Sequence, residues 1–446
     1  MIEFKFSDFF SPRRLCHWRR ILWKSQYYSE EKIKSLQWRY LSRLLDHCFK
    51  KVPYYRNLFA KHRLKRSDFV SLEDLARIPI LEKDVLLDQH EDFRPDNFER
   101  LRVSKIRTTG TTCSPMWVYW DLDVNLMELT CQWRHYAWAG YRLGDSFLDI
   151  RNYSEHLPNK YKWNWKCRAL EISSRFVDRS NIGEWAAIIR EHNIKLWRGH
   201  ANAIDHLCRL FAEAEINDVK PKCLITVGET LQPYQRKFIQ SWAGIPVCDS
   251  FGLTEHCLLI CQCPQGGYHI ASEYGIVEIV RPDGSPAAQG EEGLIIATGL
   301  HNKAFPLLRY NTKDLAIVTD RRCACGRTLP LVEDLSGRLE ECILDEGGNR
   351  VSSLHRAFRY TDGILRAQLV QENSGSLDVY IVPASDYKKE TEAGFVAGLR
   401  HELGESMKIF THYVKEVPYP SRGKYRFIVS KLLNRNHAVK RAQRER

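Results

Sequence analysis

The chain has 446 residues, 43% hydrophobic and 27% charged, which excludes a disordered polymer and predicts a soluble globular protein of two or three domains. Lys and Arg number 67 against 55 Asp and Glu, a net charge of +12. The surplus is scattered and forms no nucleic-acid module, so no nucleic acid is expected as a partner; polyanionic small molecules would account for part of it.

At the start of the chain, Met1-Ile2-Glu3-Phe4-Lys5-Phe6 lacks the basic-then-apolar order of a secretion signal. No apolar run approaches the length of a transmembrane segment. The 14 cysteines are therefore expected as reduced thiols or metal ligands in a cytoplasmic protein. Residues 1–90 read as helical and aromatic. Leu41, Leu44, Leu45 and Cys48 recur at three- and four-residue spacing, one face of a helix. Pro53 ends that helix, because a proline pushes the residue before it out of helical geometry. The stretch from Phe10 to Trp38 mixes Arg and Lys with Trp and Tyr. That fits a helical lid or a segment resting on a membrane surface.

From 91 to 337, β-rich runs such as 222–227 alternate with helical stretches such as 203–214, an α/β pattern. Residues 275–280, the turn Pro282-Asp283-Gly284 and residues 293–298 read as strand, turn, strand. Residues 338–446 read as a smaller α+β region, with a strand over 377–382 and a helix over 392–403. The boundary falls near Arg338.

Several segments carry chemistry. Thr108-Thr109-Gly110-Thr111-Thr112 clusters hydroxyls around a glycine, which suits a loop that donates N–H and O–H to phosphate oxygens. Val227-Gly228-Glu229-Thr230 follows a predicted strand, where ligands bind in open α/β sheets. Asp249-Ser250-Phe251-Gly252-Leu253-Thr254-Glu255 places an aromatic, a glycine and an acid in order. Arg309-Tyr310-Asn311-Thr312-Lys313-Asp314, Ser336-Gly337-Arg338 and Pro420-Ser421-Arg422-Gly423-Lys424 follow. Cys261, Cys263, His269, Cys323 and Cys325 form two C-x-C pairs beside a histidine, a donor set suited to tetrahedral zinc. Spacing alone leaves open which four would bind.

This ordered set resembles the adenylate-forming enzymes, and within them the phenylacetate–CoA ligase family, including its capsule-biosynthesis-type (CapK-like) members. The resemblance runs from Pro53-Tyr54-Tyr55-Arg56 to Lys424. It implies an α/β fold with a large N-terminal adenylate-forming domain, residues 1–337, and a smaller α+β C-terminal domain, residues 338–446. It favours the lid reading of the N-terminal helices. The implied activity is ATP-dependent activation of a carboxylic acid through an acyl-adenylate, then transfer to coenzyme A. The alternative is a transferase that gives the adenylate to a non-CoA acceptor in polysaccharide or secondary-metabolite biosynthesis.

By the same resemblance, Thr108, Thr109, Gly110, Thr111 and Thr112 would hold phosphates. Gly228, Glu229, Asp249, Ser250, Phe251, Gly252 and Thr254 would line the nucleotide site. Glu255 would hold Mg²⁺, a hard cation suited to carboxylate and phosphate oxygens. Asp314 would accept from the ribose hydroxyls, and Arg338 would contact nucleotide at a hinge. Lys424 would neutralise charge on the carboxylate and α-phosphate. Cys263, His269, Cys323 and Cys325 would bind a structural zinc, with Cys261 as a competitor. Two positions depart from the family: Ser114 replaces a lysine of the phosphate loop, and Lys313 replaces a glycine. The aromatics Trp117, Tyr119, Trp120, Trp133, Tyr136 and Trp138 would either wall an acyl pocket or serve as core. A homodimer is left open.

Overall fold

The structure, a computed structural model, describes residues 12–107, 116–151, 161–339, 342–345, 347–351, 354, 357, 363–384, 387–417 and 426–432. The chain divides into two compact units, residues 1–143 with 248–335 and residues 144–247 with 336–446.

The first unit begins with helices Pro12–Ser25 and Glu30–Lys51. The Ser29 hydroxyl caps the second, accepting from the Lys32 amide at 3.4 Å, which satisfies one free N–H of the first turn. Leu41, Leu44, Leu45 and Cys48 face inward, each no more than 2% exposed. The helix stops at Lys51; Val52 is extended and Pro53 opens the helix Pro53–Lys61. At that first helical position the missing proline N–H has no partner to lose.

These helices pack on a sheet in which neighbours run in the order Gly275–Val280, Glu292–Gly299, Tyr310–Val318, Leu331–Arg338, Tyr268–Ile270, Leu259–Gln262, Cys248–Gly252. Leu41, Leu45, Tyr55, Ile295, Ala297 and Tyr310 join helix and sheet in one core. A hairpin, Val103–Arg107 with Trp117–Asp121, leads into the helix Leu122–Trp138. Asp121 caps that helix, accepting from the Val124 amide at 3.0 Å. Arg134, in its last turns, is 2% exposed and pairs with fully buried Glu273 at 2.7 Å. The Ser25 hydroxyl donates to the same carboxylate. A pair so deep requires this extra hydrogen bonding, because desolvation otherwise outweighs the attraction.

In the second unit, Ala169–Ser173, Phe147–Arg151, Leu196–Gly199 and Cys223–Val227 run parallel, with Tyr161–Asn164 antiparallel at one edge. Leu148, Ile150, Leu170, Ile172, Leu224 and Ile225 have no exposed surface. Near-continuous apolar runs are what strands covered on both faces require. On the helix Ala201–Glu213, Ile204, Leu207, Cys208 and Phe211 are also fully buried, the stripe the three-and-four spacing dictates. A Cβ at Gly199 would lie 2.2 Å from the Ile150 carbonyl oxygen, so only glycine allows that strand contact.

The same unit holds a 4-stranded sheet in the order Lys408–Tyr413, Ser376–Pro383, Ile364–Gln371, Ile428–Ser430. Helix Lys389–Leu403 packs on it through Phe395 and Leu399, against Leu369, Leu377, Val379 and Ile381. The mixed α/β class is as expected from the sequence. Among the described residues no helix is long and apolar enough to cross a membrane.

Candidate functional site

Residues 108–112, the expected phosphate loop, and Lys424 lie outside the described residues, as does Ser114. The other sequence-predicted residues divide between the two units.

In the first unit, Asp249, Ser250, Phe251 and Gly252 stand on the strand Cys248–Gly252. It pairs with Leu259–Gln262 in the register Ser250 to Cys261, Phe251 to Ile260 and Gly252 to Leu259. Asp249 is buried; its amide donates to Gln262 Oε1 at 3.2 Å and its carboxylate accepts from the Tyr268 hydroxyl at 3.4 Å. Beyond the strand, the Trp120 indole donates to the Thr254 carbonyl at 2.8 Å. His256 takes a left-handed φ of 53° and stacks on Trp120, ring centroids 3.8 Å apart. Burial pushes this imidazole down to about 3, so it is neutral. Glu255 is thus fixed on both sides, and its carboxylate accepts from the Tyr310 hydroxyl at 3.2 Å.

Tyr310 and Asp314 share the strand Tyr310–Val318. Asp314 is 4% exposed. Its amide donates to Thr312 Oγ1 at 3.1 Å, and that hydroxyl donates to the Ile295 carbonyl at 2.9 Å. Arg309 is a buttress: its guanidinium donates to Glu278 at 2.9 and 3.0 Å and to the Ala76 and Ile78 carbonyls at 3.1 and 2.8 Å. Lys313 has φ 63°, a conformation in which glycine is the residue at ease.

In the second unit, Gly228 has φ 73° and follows the strand Cys223–Val227. The Glu229 carboxylate, 4% exposed, accepts from the Asn202 amide at 3.3 Å and side chain at 2.9 Å, with His200 Nδ1 at 3.6 Å. Gln235 donates to Asn202 at 2.8 Å. Gly337 has φ 95°, and Arg338 ends its strand half-buried. His200, Asn202 and Gln235 sit in no motif, and only the fold reveals that the first two meet Glu229 while Gln235 backs Asn202.

The metal-type residues lie together in the first unit. The donor atoms of Cys263, His269, Cys323 and Cys325 are all within 4.8 Å of one another. Cys263 and Cys323 sulfurs are 3.5 Å apart, and Cys325 sulfur lies 3.3 Å from His269 Nε2. Zinc–sulfur bonds of about 2.3 Å in a tetrahedron set sulfurs about 3.8 Å apart, so the cluster is of zinc size. His269 Nδ1 faces the Leu329 carbonyl at 3.4 Å, which leaves Nε2 toward the sulfurs. Burial pushes His269 down to about 4 and so keeps it neutral. Burial also raises the Cys263 thiol to about 12, with a contribution from Cys323. At Cys325 burial acts upward, but hydrogen bonds with the Arg327 amide and guanidinium and with Cys323 and Cys263 together outweigh it and hold this thiol below the usual range. A Cβ at Gly267 would meet Cys323 Sγ at 2.7 Å, so glycine is required beside the cluster. Cys261 is not in the group; it pairs in register with Ser250 and packs in the main core.

The aromatic set is dispersed. Trp120 reaches the Thr254–His256 segment. Tyr119 packs with Phe98 and Phe305. Trp138 lies edge-on to His269 at 5.4 Å, and Trp117 is exposed.

The fold is that of the adenylate-forming CoA ligases. The chain superposes on 2-hydroxyisobutyryl-CoA ligase in the postadenylation state with R3-HIB-AMP, TM-score 0.69 and 15% identity over 93% of each chain. Against the same ligase with 2-HIB-AMP and CoA in the thioesterification state the TM-score is 0.56, at 16% identity over 93% of this chain and 94% of that one. In sequence the chain resembles the phenylacetate–coenzyme A ligases, as its motifs imply. It is 26% identical to that of Thermus thermophilus over 362 residues, 78% of this chain and 80% of the relative. It is likewise 26% identical to that of Escherichia coli over 349 residues, 72% and 74%. Residues 343–431 match the CapK C-terminal domain.

Proposed function

We propose that this protein is an AMP-forming acid–thiol ligase. A carboxylate attacks the α-phosphate of ATP, forming the acyl–phosphate bond as pyrophosphate leaves. The sulfur of coenzyme A then attacks the acyl carbon and AMP departs. The observation that carries this reading is the 26% identity to phenylacetate–coenzyme A ligase across 78% of the chain. Catalysis here is positioning and charge neutralisation.

Each residue keeps a defined role in this reading. Glu255, its carboxylate oriented by Tyr310, would hold Mg²⁺, which supplies positive charge beside the phosphates. Asp314 accepts from the ribose hydroxyls. The segments around Glu229 and Asp249–Thr254 line the base and phosphates, with residues 108–112 on the phosphates. Arg338 contacts nucleotide. Lys424 donates to the carboxylate and α-phosphate oxygens as the mixed anhydride forms. Cys263, His269, Cys323 and Cys325 would hold a structural zinc, since four protein donors leave no open position. A cytoplasmic location fits the reduced thiols.

The test is ATP–pyrophosphate exchange over a panel of aromatic and aliphatic acids. Exchange that depends on one acid class supports the reading; release of ADP and phosphate refutes it. The match of residues 343–431 to the CapK C-terminal domain favours a second reading, in which an amine or sugar takes the acyl group. Product formation without coenzyme A would select it.

A further inference from the structure

Lys313 stands in a left-handed conformation beside Asp314, the ribose carboxylate of the proposed reaction, and the structure shows what holds it there. The strand Tyr310–Val318 pairs with Glu292–Gly299 in two registers, Leu294 with Leu315 and Ile296 with Asn311. Residues 312–314 therefore oppose Ile295 by themselves: the strand bulges at Asp314. A bulge of this kind re-aims a side chain and is common next to active sites. It is also unstable unless tied down, because ladder hydrogen bonds are lost there.

The tie comes from Glu82, more than two hundred residues upstream. Leu81 forms a parallel bridge to Tyr310, its amide donating to the Arg309 carbonyl and its carbonyl accepting from the Asn311 amide, both at 2.9 Å. This brings the next residue, Glu82, over the bulge. One carboxylate oxygen accepts from Asn311 Nδ2 at 2.9 Å, and the other pairs with the Lys313 ammonium. The Asn311 side-chain oxygen in turn accepts from the Lys313 amide at 3.0 Å. A single carboxylate thus grips the bulge on both sides.

We propose that Glu82 is a positioning residue for nucleotide binding: with Asn311 and Lys313 it latches the bulge that aims Asp314 at the ribose. This rests on the adenylation reading above. It also explains why a lysine stands where φ is 63°: glycine would relieve the backbone but supply no ammonium. Glu82 touches neither the ribose nor any reacting atom in this account.

The experiment compares ATP with 2′-deoxy-ATP in pyrophosphate exchange for the wild type, Glu82→Gln, Lys313→Gly and Lys313→Arg. Glu82 and Lys313 side chains are 44% and 32% exposed, so the variants are expected to fold. Such a pair is worth little in global stability, and loosening it should act locally. Glu82→Gln and Lys313→Gly should raise KM for ATP about three- to tenfold, with kcat changed less than twofold. Preference for ATP over 2′-deoxy-ATP should fall by the same factor, and Lys313→Arg should restore both. A merely structural defect would lower exchange with the two nucleotides equally. If the wild type discriminates and the variants discriminate as well as it does, the latch is wrong while the adenylation reading stands. If the wild type accepts both nucleotides equally, the ribose role of Asp314 and the latch fall together.

Discussion

His301 illustrates how a residue in no motif sets a measurable property. It is buried, edge-on to Trp18 and Tyr40, and its Nε2 meets the Glu273 carbonyl at 2.7 Å. Burial pushes it down to about 4, against upward pulls from that carbonyl, Asp123 and Glu273. In the unfolded chain it would protonate near its ordinary value of about 6.5. Between those values the unfolded state binds more protons than the folded one. Stability is therefore full above pH ~6.5 and declines as pH falls toward ~4, by on the order of 3 kcal/mol for this group. His256, held at about 3, pulls in the same direction. Chemical denaturation from pH 4 to 8 should show the decline, and His301→Gln should make it shallower. An identical slope in the variant would show that another group is responsible.

At the scale of elements, two turns and one strand build the metal-type cluster. The turn after Cys263 closes through the Gly266 amide to the Cys263 carbonyl at 2.8 Å, and the turn after Cys323 through the Gly326 amide to the Cys323 carbonyl at 3.2 Å. His269 enters from the strand Tyr268–Ile270, set against Leu331. The second turn also grips the N-terminal helices: the Thr328 amide donates to the Gln26 carbonyl at 2.9 Å, and the Arg327 guanidinium to Gln26 Oε1 at 3.2 Å. About one zinc per chain is expected in purified protein, read by elemental analysis. Cys323→Ser or Cys325→Ser should lose the metal and lower Tm by several degrees. Gly267→Ala should do the same through crowding at Cys323 Sγ, without removing a ligand. Metal-free wild-type protein of unchanged Tm and activity would defeat the zinc assignment.

Across the whole molecule, the two halves of the proposed reaction would place different demands on Lys424. Its ammonium is a compact point charge with three donors, suited to bridging the carboxylate and α-phosphate. In the proposed reaction that contact would strengthen as charge redistributes in the first transition state. Lys424→Ala should reduce adenylate formation on the order of 100-fold. Given synthetic acyl-adenylate and coenzyme A, the same variant should make thioester at near the wild-type rate. Equal damage to both halves would refute this division of labour, and wild-type exchange would remove Lys424 from catalysis altogether.

The fold class and the family resemblance were legible in the sequence, because both are written in local pattern. Helical spacing from Leu41 to Cys48, apolar runs such as 222–227 and the ordered motifs from Thr108 to Lys424 survive reading one residue after another. The sequence also narrowed the candidate metal donors to five residues, since cysteine and histidine announce themselves by type. Which four stand together is settled in the folded chain: Cys261 lies within the strand Leu259–Gln262 and packs in the main core, whereas Cys263 lies just past the strand's end, where a turn sets it beside Cys323. The folded chain alone shows that Arg309 is a buried buttress, that Asn202, backed by Gln235, holds Glu229, and that Glu82 holds Lys313. Those partners lie from 27 to 233 positions apart. A glutamate in Leu81-Glu82-Lys83-Asp84 looks like any exposed acid until chain closure sets it over a bulge, and pairing at that range is a property of the folded chain alone.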